Sequence, residues 1–391
     1  MEFKVSYYDA AQREILEAHE KSPSINRLVQ RGLEISADEL MVHTMFSEQM
    51  NEDGFRTYEE LAAQAGSRVG WFESYFNFGE DGLFAHLPPS RVEKRLTQGI
   101  GEGIAIIAMN RIYDLTEADW ERIGERNDSK TLDHQYELAS TGQRFVQVEG
   151  KGTVLGLDGF GRKTASISRA KSSILAKKEE SSSPIESAPC DRFGVITAIP
   201  SEPGAIPDVY LIDPAGVAPD IAPQKYKLLS RLSYYERRLS YVSKFHFLMV
   251  LRNRINAIHD SEQFEDLDGI KLVGQDGTPF GFPQTRDSLV TSRGGEVFGR
   301  VLPVSQEEAL FIGFEQRLFY TLIGQSFQDV NSFKIHRHEV VIDTFVTTTI
   351  PGADGRSRLR VRGRAHLNSA GIAFGQVDLS RPYSRRYFRK S

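Results

Sequence analysis

The feature that most constrains the fold is a stretch of alternating polar and apolar residues at 132–154, LDHQYELASTGQRFVQVEGKGTV. Side chains along a β-strand point alternately to the two faces of its sheet. The pattern therefore predicts a β-hairpin with strands at 131–139 and 144–151. In the second strand the valines share one face of the sheet. The polar side chains share the other face: Gln147, Glu149 and Lys151.

The apolar residues of the two strands predict how the strands pair. A loop at 141–143 places Asp133 opposite Lys151. The same register places Gln135 opposite Glu149, so that the polar residues of both strands share one face. A shift of one residue would separate them, because it moves every side chain of a strand to the other face. We therefore expect two carboxylates and an ammonium group on one face of the sheet.

This combination of side chains suits the hydrolysis of a phosphodiester bond. Carboxylates bind Mg²⁺, which prefers oxygen ligands and retains several waters. The metal activates a water and neutralises charge on the phosphate. A lysine beside it can stabilise the developing negative charge. The residues thus predict an enzyme that uses Mg²⁺ or Mn²⁺, with Asp133, Glu149 and Lys151 as catalytic residues; the alternative is an ordinary surface hairpin with a solvent-exposed salt bridge.

The hairpin resembles the PD-(D/E)xK, restriction-endonuclease-like nuclease superfamily. LD at 132–133 and EGK at 149–151 match its motif, with Leu132 in place of the usual proline. The resemblance implies an α/β fold with an αβββαβ core, opened by a helix that often carries an acid. The segment GEGIAIIAMNRIYDL fits that helix, with Glu102 as the acid. The resemblance therefore implies metal ligands at Asp133, Glu149 and Glu102.

Three parts are expected in a chain of 391 residues. Helical patterns fill residues 1–92 and end at the proline-marked segment HLPPSR. Residues 93–216 form the nuclease-like core. Residues 217–391 form an α+β region that ends in a basic hairpin and a basic tail.

The N-terminal part has a candidate helix-turn-helix at 59–76, where EELAAQAGSRVGWFESYF resembles TetR-type repressors. A recognition helix needs cations and amides that read bases, but this one offers mainly Arg68, Glu73 and Ser74. A helical hairpin that packs as a scaffold is the alternative. Residues 1–90 hold 16 acidic and 7 basic residues, a net charge of −9, which favours a protein partner for this region.

Two basic segments are candidates for contact with nucleic acid. The predicted helix GRKTASISRAKSSILAKK and the loop before it offer Arg162, Lys163, Arg169 and Lys171. In RSRLRVRGR, alternation predicts five arginines on one strand face: Arg356, Arg358, Arg360, Arg362 and Arg364. Cations in line suit a phosphate backbone. The alternatives are a solvated helix face and an edge strand that charge protects from aggregation.

Composition indicates where such a protein works. One cysteine excludes an intramolecular disulfide and fits a reducing cytoplasm. The N-terminus has no signal-peptide pattern and no stretch approaches a membrane span, so we expect a soluble cytoplasmic protein without a membrane partner. The predicted function is metal-dependent cleavage of DNA, in restriction or antiviral defence. The alternatives are a non-catalytic nucleic-acid-binding protein on a nuclease-like scaffold, and a helix-turn-helix regulator or assembly factor.

Overall fold

The computed structural model shows a mixed α/β chain with two large sheets. It describes the following residues: 1–47, 60, 69–79, 82–123, 136–156, 164–180, 190–213, 222–242, 245–281, 289–291, 297–336, 339–349 and 356–380. Among these residues, no helix is both long and apolar enough to cross a membrane.

The larger sheet has seven strands in the order β2-β1-β9-β8-β7-β6-β5. Its strands are β1 (Glu2–Tyr7), β2 (Leu33–Glu34), β5 (Trp120–Ile123), β6 (Tyr136–Ser140), β7 (Phe145–Val154), β8 (Cys190–Ile199) and β9 (Asp208–Ile212). β7 pairs in parallel with β8 and β1 in parallel with β9, while the other neighbours are antiparallel. A separate small hairpin is formed by β3 (Phe76–Gly79) and β4 (Gly82–Ala85).

Helices cover both faces of this sheet. The first five helices are α1 (Ala10–Glu17), α2 (Ser22–Arg31), α3 (Ala37–Ser47), α4 (Lys94–Tyr113) and α5 (Ala165–Glu180). α4 lies on one face, in an apolar cluster with β1, β7 and β8. α5 lies on the other face, where Ile167 and Ile174 pack against Ile196 and Ile212. α4 is apolar almost all round, as expected of a helix buried between the sheet and α3.

The central part of the chain runs helix, three strands, helix, strand. After α4, the strands β5, β6 and β7 follow as antiparallel neighbours. The chain then passes through α5 and returns in β8, which lies beside β7 and runs parallel to it. A parallel return needs such a crossover, because a tight turn can join only antiparallel strands.

The smaller sheet has six antiparallel strands in the order β10-β11-β12-β15-β14-β13. They are β10 (Leu289–Thr291), β11 (Val297–Pro303), β12 (Glu308–Glu315), β13 (Glu339–Thr349), β14 (Arg356–Leu367) and β15 (Ile372–Ser380). The sheet curls, since β10 and β11 also contact β13. Its inner face holds a separate apolar cluster that includes Phe311, Val361 and Val377.

Four helices pack against the outside of the smaller sheet at the end near β11 and β12. They are α6 (Pro223–Leu239), α7 (Phe245–Asp260), α8 (Gln316–Gly324) and α9 (Phe327–Ser332). Together with Phe298, Phe314 and Phe374 of the strands they form a second large apolar cluster, separate from the one around α4. The segment 225–259 thus forms parts of two helices, α6 and α7, and not one.

The prediction that residues 1–92 form a helical region is wrong in one respect. β1 and β2 belong to the larger sheet, with Phe3 and Val5 buried in the same cluster as α4. Helical periodicity could not reveal this, because β1 is held by parallel pairing with β9, some 200 residues later in the chain. Most of the candidate helix-turn-helix at 59–76 lies outside the described residues. In the part of this segment that is described, residues 69–73 are helical.

Candidate functional site

The centre of the larger sheet is a close contact between α4 and β7 made through glycines. A Cβ atom on Gly150 would lie 2.6 Å from the Cα of Glu102. A Cβ atom on Gly152 would overlap the carbonyl oxygen of Thr97, and one on Gly101 would overlap the backbone of Gly152. Glycines thus let the helix backbone rest directly on the strand. The runs GIGEG and EGKG in the sequence are the local cause.

Glu149 and Lys151 point to the face opposite α4. They alternate with Gly150 and Gly152, which face the helix. Gly194, the neighbour of Glu149 on β8, faces Ile174 of α5, so this is the α5 face of the sheet.

Here the Lys151 ammonium lies 3.2 Å from a Glu149 carboxylate oxygen, and the carboxylate is buried. Burying a carboxylate beside an ammonium group is costly unless hydrogen bonds satisfy its remaining oxygen contacts.

The predicted register of the hairpin is wrong by one residue. Ser140 pairs with Phe145 and Leu138 with Gln147, whereas the prediction required Leu138 to face Val146. The connection is therefore four residues long, 141–144. Phe145 is fully buried against Tyr226, which holds it in the strand.

The side chain of Arg144 is held outside the hairpin ladder. It donates to both carboxylate oxygens of Asp191 at 2.9 Å and lies 2.9 Å from Glu20. Long-range contacts therefore support the register together with the turn, in which the Thr141 N–H donates to the Arg144 carbonyl at 3.0 Å. The predicted pairings of Asp133 with Lys151 and of Gln135 with Glu149 do not follow from the observed register, and Asp133 itself lies outside the described residues.

Glu102 lies on the helix side of β7. Its carboxylate is buried and accepts a hydrogen bond of 2.8 Å from Gln98, one turn earlier in α4. The three predicted metal ligands are thus divided, since Glu149 faces α5 and Glu102 belongs to the helix on the other face. Within the described ranges, no three His, Cys, Asp or Glu side chains lie close enough together to hold a metal ion.

The basic residues of α5 have different surroundings. Lys171 forms an ion pair of 2.6 Å with Asp9, and its ammonium lies 4.3 Å from the ring centre of Tyr8. This lysine therefore ties α5 to the N-terminal segment. Arg169 is exposed and donates to the carbonyl of Ala165, in its own helix. Arg162 and Lys163 lie outside the described residues.

The alternation predicted for the basic strand is confirmed in β14. Leu359 and Val361 are buried, whereas the arginines between and beyond them reach the surface: Arg358, Arg360, Arg362 and Arg364. The edge-strand alternative is wrong, because β14 lies between β15 and β13. The side chain of Arg356, at the start of the strand, is not among those described.

Neighbouring strands partly neutralise these arginines. Asp343 of β13 lies 3.0 Å from Arg360 and 3.5 Å from Arg362. Glu339 lies 3.2 Å from Arg364. Both carboxylates belong to β13, the neighbouring strand.

A polar network at the start of β8 was not predicted from the sequence. Asp191 accepts hydrogen bonds from Arg144 and Tyr113, and His19 lies 3.6 Å away. Burial alone would raise the pKa of Asp191, but its hydrogen bonds with His19, Arg144 and Tyr113 outweigh burial and lower the pKa to about 2. The network joins four segments of the chain, and its role is structural. Its only sign in the sequence is the charged pair DR at the start of a buried strand.

A second missed feature is a cleft of about 200 Å³ between α4 and the smaller sheet. It is lined by Glu39, Arg111, Glu117, Lys334 and His366, among others. Burial and, to a smaller extent, the charge of Glu117 raise the pKa of Glu39 to about 7. Glu117 accepts a hydrogen bond of 2.9 Å from Ser369. The acids of this cleft come from segments far apart in the sequence, so no local pattern could have found them.

Comparison with known proteins found no matching family model, no matching curated protein and no matching solved structure. The function must therefore be argued from the chain itself.

Proposed function

We propose that this protein is a metal-dependent nuclease whose active site is built around Glu149 and Lys151. The main support is the path of the chain: a helix, three antiparallel strands, a second helix on the other face and a strand parallel to the third. This is the αβββαβ order of restriction-endonuclease-like cores. The EGK motif lies on the third strand, as it does in that superfamily.

The chemistry of the pair supports the proposal. Lys151 keeps a cation beside the Glu149 carboxylate on a sheet face, where it can bind a phosphate oxygen or stabilise charge in the transition state. Carboxylate oxygens suit Mg²⁺ or Mn²⁺, and Glu149 would supply ligand oxygens to the ion; when bound, it would activate water and offset phosphate charge. Because Glu102 belongs to the opposite side of β7, we do not include it in this ligand set.

Plasmid cleavage tests the proposal. The full chain is incubated with supercoiled plasmid, linear duplex or single-stranded DNA in Mg²⁺, Mn²⁺ or EDTA. We expect nicking with metal and none in EDTA. Lys151→Ala should retain metal binding and lower turnover by on the order of 10²–10³, because the lost cation acts on the reaction and not on the ion.

Matched variants complete the test. Glu149→Gln should lose metal binding and cleavage together. The exposed residues Lys271 and Glu265 supply controls, and Lys271→Ala and Glu265→Gln should cleave as wild type does. Metal-dependent cleavage that survives in both the Glu149 and the Lys151 variant would exclude this site.

A second candidate is a non-catalytic nucleic-acid-binding protein on the same scaffold. The shifted hairpin register favours it, because it removes the predicted pairing between Asp133 and Lys151. Wild-type protein that binds nucleic acid but does not cleave it with either metal would support this candidate.

The biological role extends the proposal further. Restriction of foreign DNA in a reducing cytoplasm follows from the resemblance and from the single cysteine. A regulator that binds through residues 59–76 stays an untested alternative. Specific binding of an operator-like duplex, lost when those residues are replaced, would support it.

A further inference from the structure

We propose that the outer face of β13 and β14 binds a single-stranded nucleic acid. The outer face consists of Val341, Asp343 and Phe345 on β13 and Arg358, Arg360, Arg362 and Arg364 on β14. The inference adds to the proposed function that the ligand is single-stranded. It rests on the proposed function only in taking the ligand to be a nucleic acid and not another polyanion.

The two strands form a regular grid of cations and apolar groups. Phe345 lies directly opposite Arg360, Asp343 opposite Arg362 and Val341 opposite Arg364. Directly opposed side chains share a face and lie about 5 Å apart. Arg360, Arg362 and Arg364 therefore each have an apolar or acidic neighbour on β13. Successive arginines repeat every ~6.7 Å along β14.

Phe345 is the residue that favours a single strand. Its side chain is 46% exposed although it is a large aromatic group on a sheet, and the Arg358 guanidinium lies 5.0 Å from its ring centre. Exposed aromatic rings among cations bind unpaired bases by stacking, and several sheet-based domains read single strands in this way. In a duplex the bases stack on one another and cannot reach such a ring.

Asp343, the acidic residue of the outer face, allows the most direct test of the proposal. Asp343 accepts hydrogen bonds from Arg360 at 3.0 and 3.1 Å. Ion pairs at a surface are weak and screened by salt. A phosphate can therefore replace the carboxylate on the same guanidinium groups, so that Asp343 competes with the ligand.

The outer face leads toward the cleft beside α4. The alternation of β14 continues to His366, which lines that cleft. From Arg358 to His366 the strand spans roughly 27 Å, at about 3.4 Å per residue. A strand of nucleic acid laid along the arginines would thus approach the helix that packs on β7.

Binding is measured by fluorescence anisotropy with full-length protein in EDTA, using labelled oligo(dT), oligo(U) and a duplex of equal length. We expect both single strands to bind more tightly than the duplex. Phe345→Ala and Phe345→Leu should each weaken single-strand binding by about 10-fold. The control is Tyr320→Ala, which removes an aromatic ring that is 51% exposed on α8, and it should bind as wild type does.

Charge variants test the arginines and their acid. Arg362→Gln with Arg364→Gln should weaken binding and lower the salt dependence of log Kd by about one for each lost phosphate contact. Arg13→Gln, in an exposed pair with Glu17 on α1, is the matched control. Asp343→Asn should tighten binding several-fold, because it frees Arg360 and Arg362.

Three results would overturn the inference: duplex bound as tightly as single strands, Phe345 variants that fold and bind normally, or Asp343→Asn without a gain in affinity. Thermal melting confirms that each variant folds. EDTA prevents metal-dependent cleavage, so the binding assay does not depend on nuclease activity. If the protein binds single strands but shows no nuclease activity with metal, only the proposed function is refuted. If it cleaves DNA but does not bind single strands in this way, only the inference about the outer face is refuted.

Discussion

The two sheets differ in whether their charged side chains are buried or exposed to solvent. In the larger sheet, helices cover both faces, and its central charged residue Glu149 is buried beside Lys151. In the smaller sheet, one face closes on itself as an apolar interior, and charges at the β13–β14 end stay in water. A buried charge must be held by specific partners, whereas an exposed one can exchange them. The proposed catalytic pair therefore lies in the sheet whose charges have fixed partners, and the proposed binding face lies in the sheet whose charges can exchange theirs.

A buried ion pair joins the two regions. Asp119 precedes β5 of the larger sheet, and Arg231 belongs to α6. Arg231 donates to both oxygens of Asp119 at 2.6 and 2.8 Å, and to the carbonyls of Val330 and Phe333 at 2.8 Å. Burial would raise the pKa of Asp119, but the charge and hydrogen bonds of Arg231 outweigh burial and lower it.

Breaking that pair should have the largest effect on stability. Asp119→Asn leaves Arg231 buried without its counter-charge and should cost about 3–5 kcal/mol of unfolding free energy. Chemical denaturation with urea measures it. The control is Asp114→Asn, which alters the ion pair between Asp114 and Lys334. Because the Asp114 side chain is 89% exposed, this variant should lose far less unfolding free energy. Equal losses in the two variants would contradict the contrast between buried and exposed charge.

The glycine contact in the larger sheet should give the next largest effect. Gly152→Ala places a methyl group against the backbone of Thr97, which cannot move without separating α4 from β7. We expect a loss of roughly 1–3 kcal/mol or more from overpacking. Gly324→Ala, at the end of α8, meets no atom within 4 Å and is the control. Normal stability of Gly152→Ala would show that the contact is looser than described.

The cleft between the regions should respond to pH. Because burial raises the pKa of Glu39 to about 7, the folded protein holds this proton more tightly than the unfolded chain does. Stability from Glu39 is therefore highest at low pH and falls as the pH rises from about 4.5 to about 7. Glu39→Gln keeps an oxygen that can accept the hydrogen bond from the Ser36 backbone at the start of α3, and it removes the charge.

The variant should accordingly gain stability over wild type as the pH rises through that range, by roughly 1–3 kcal/mol at pH 8. Urea denaturation at a series of pH values measures the difference. Glu202→Gln, at an exposed glutamate between β8 and β9, is the control and should follow the wild-type profile. A gain that does not depend on pH would contradict the account.

The smallest effect is expected on the outer face of the smaller sheet. Arg364 is 73% exposed and pairs with the half-exposed Glu339. Since pairs of this kind contribute little to stability, Arg364→Gln should leave Tm unchanged within error. A clear drop in Tm would mean that the outer face serves folding and not binding.

The sequence by itself determined which side chains of a single strand share a face. Alternation of faces is built into the backbone of a strand, so the buried Leu359 and Val361 and the exposed arginines of β14 could be predicted without any partner. The same local logic predicted the hairpin and the order of elements from α4 to β8. It also placed Glu149 and Lys151 on one face.

Only the tertiary structure decided how those elements meet. The register of the hairpin depended on the burial of Phe145 and on Arg144 reaching Asp191 and Glu20, which are distant in sequence. The parallel placement of β1 beside β9 and the curl of the smaller sheet are also long-range pairings. Local patterns fix the direction of a side chain, because they act through covalent geometry. Register and partners depend on contacts that exist only once the whole chain has folded.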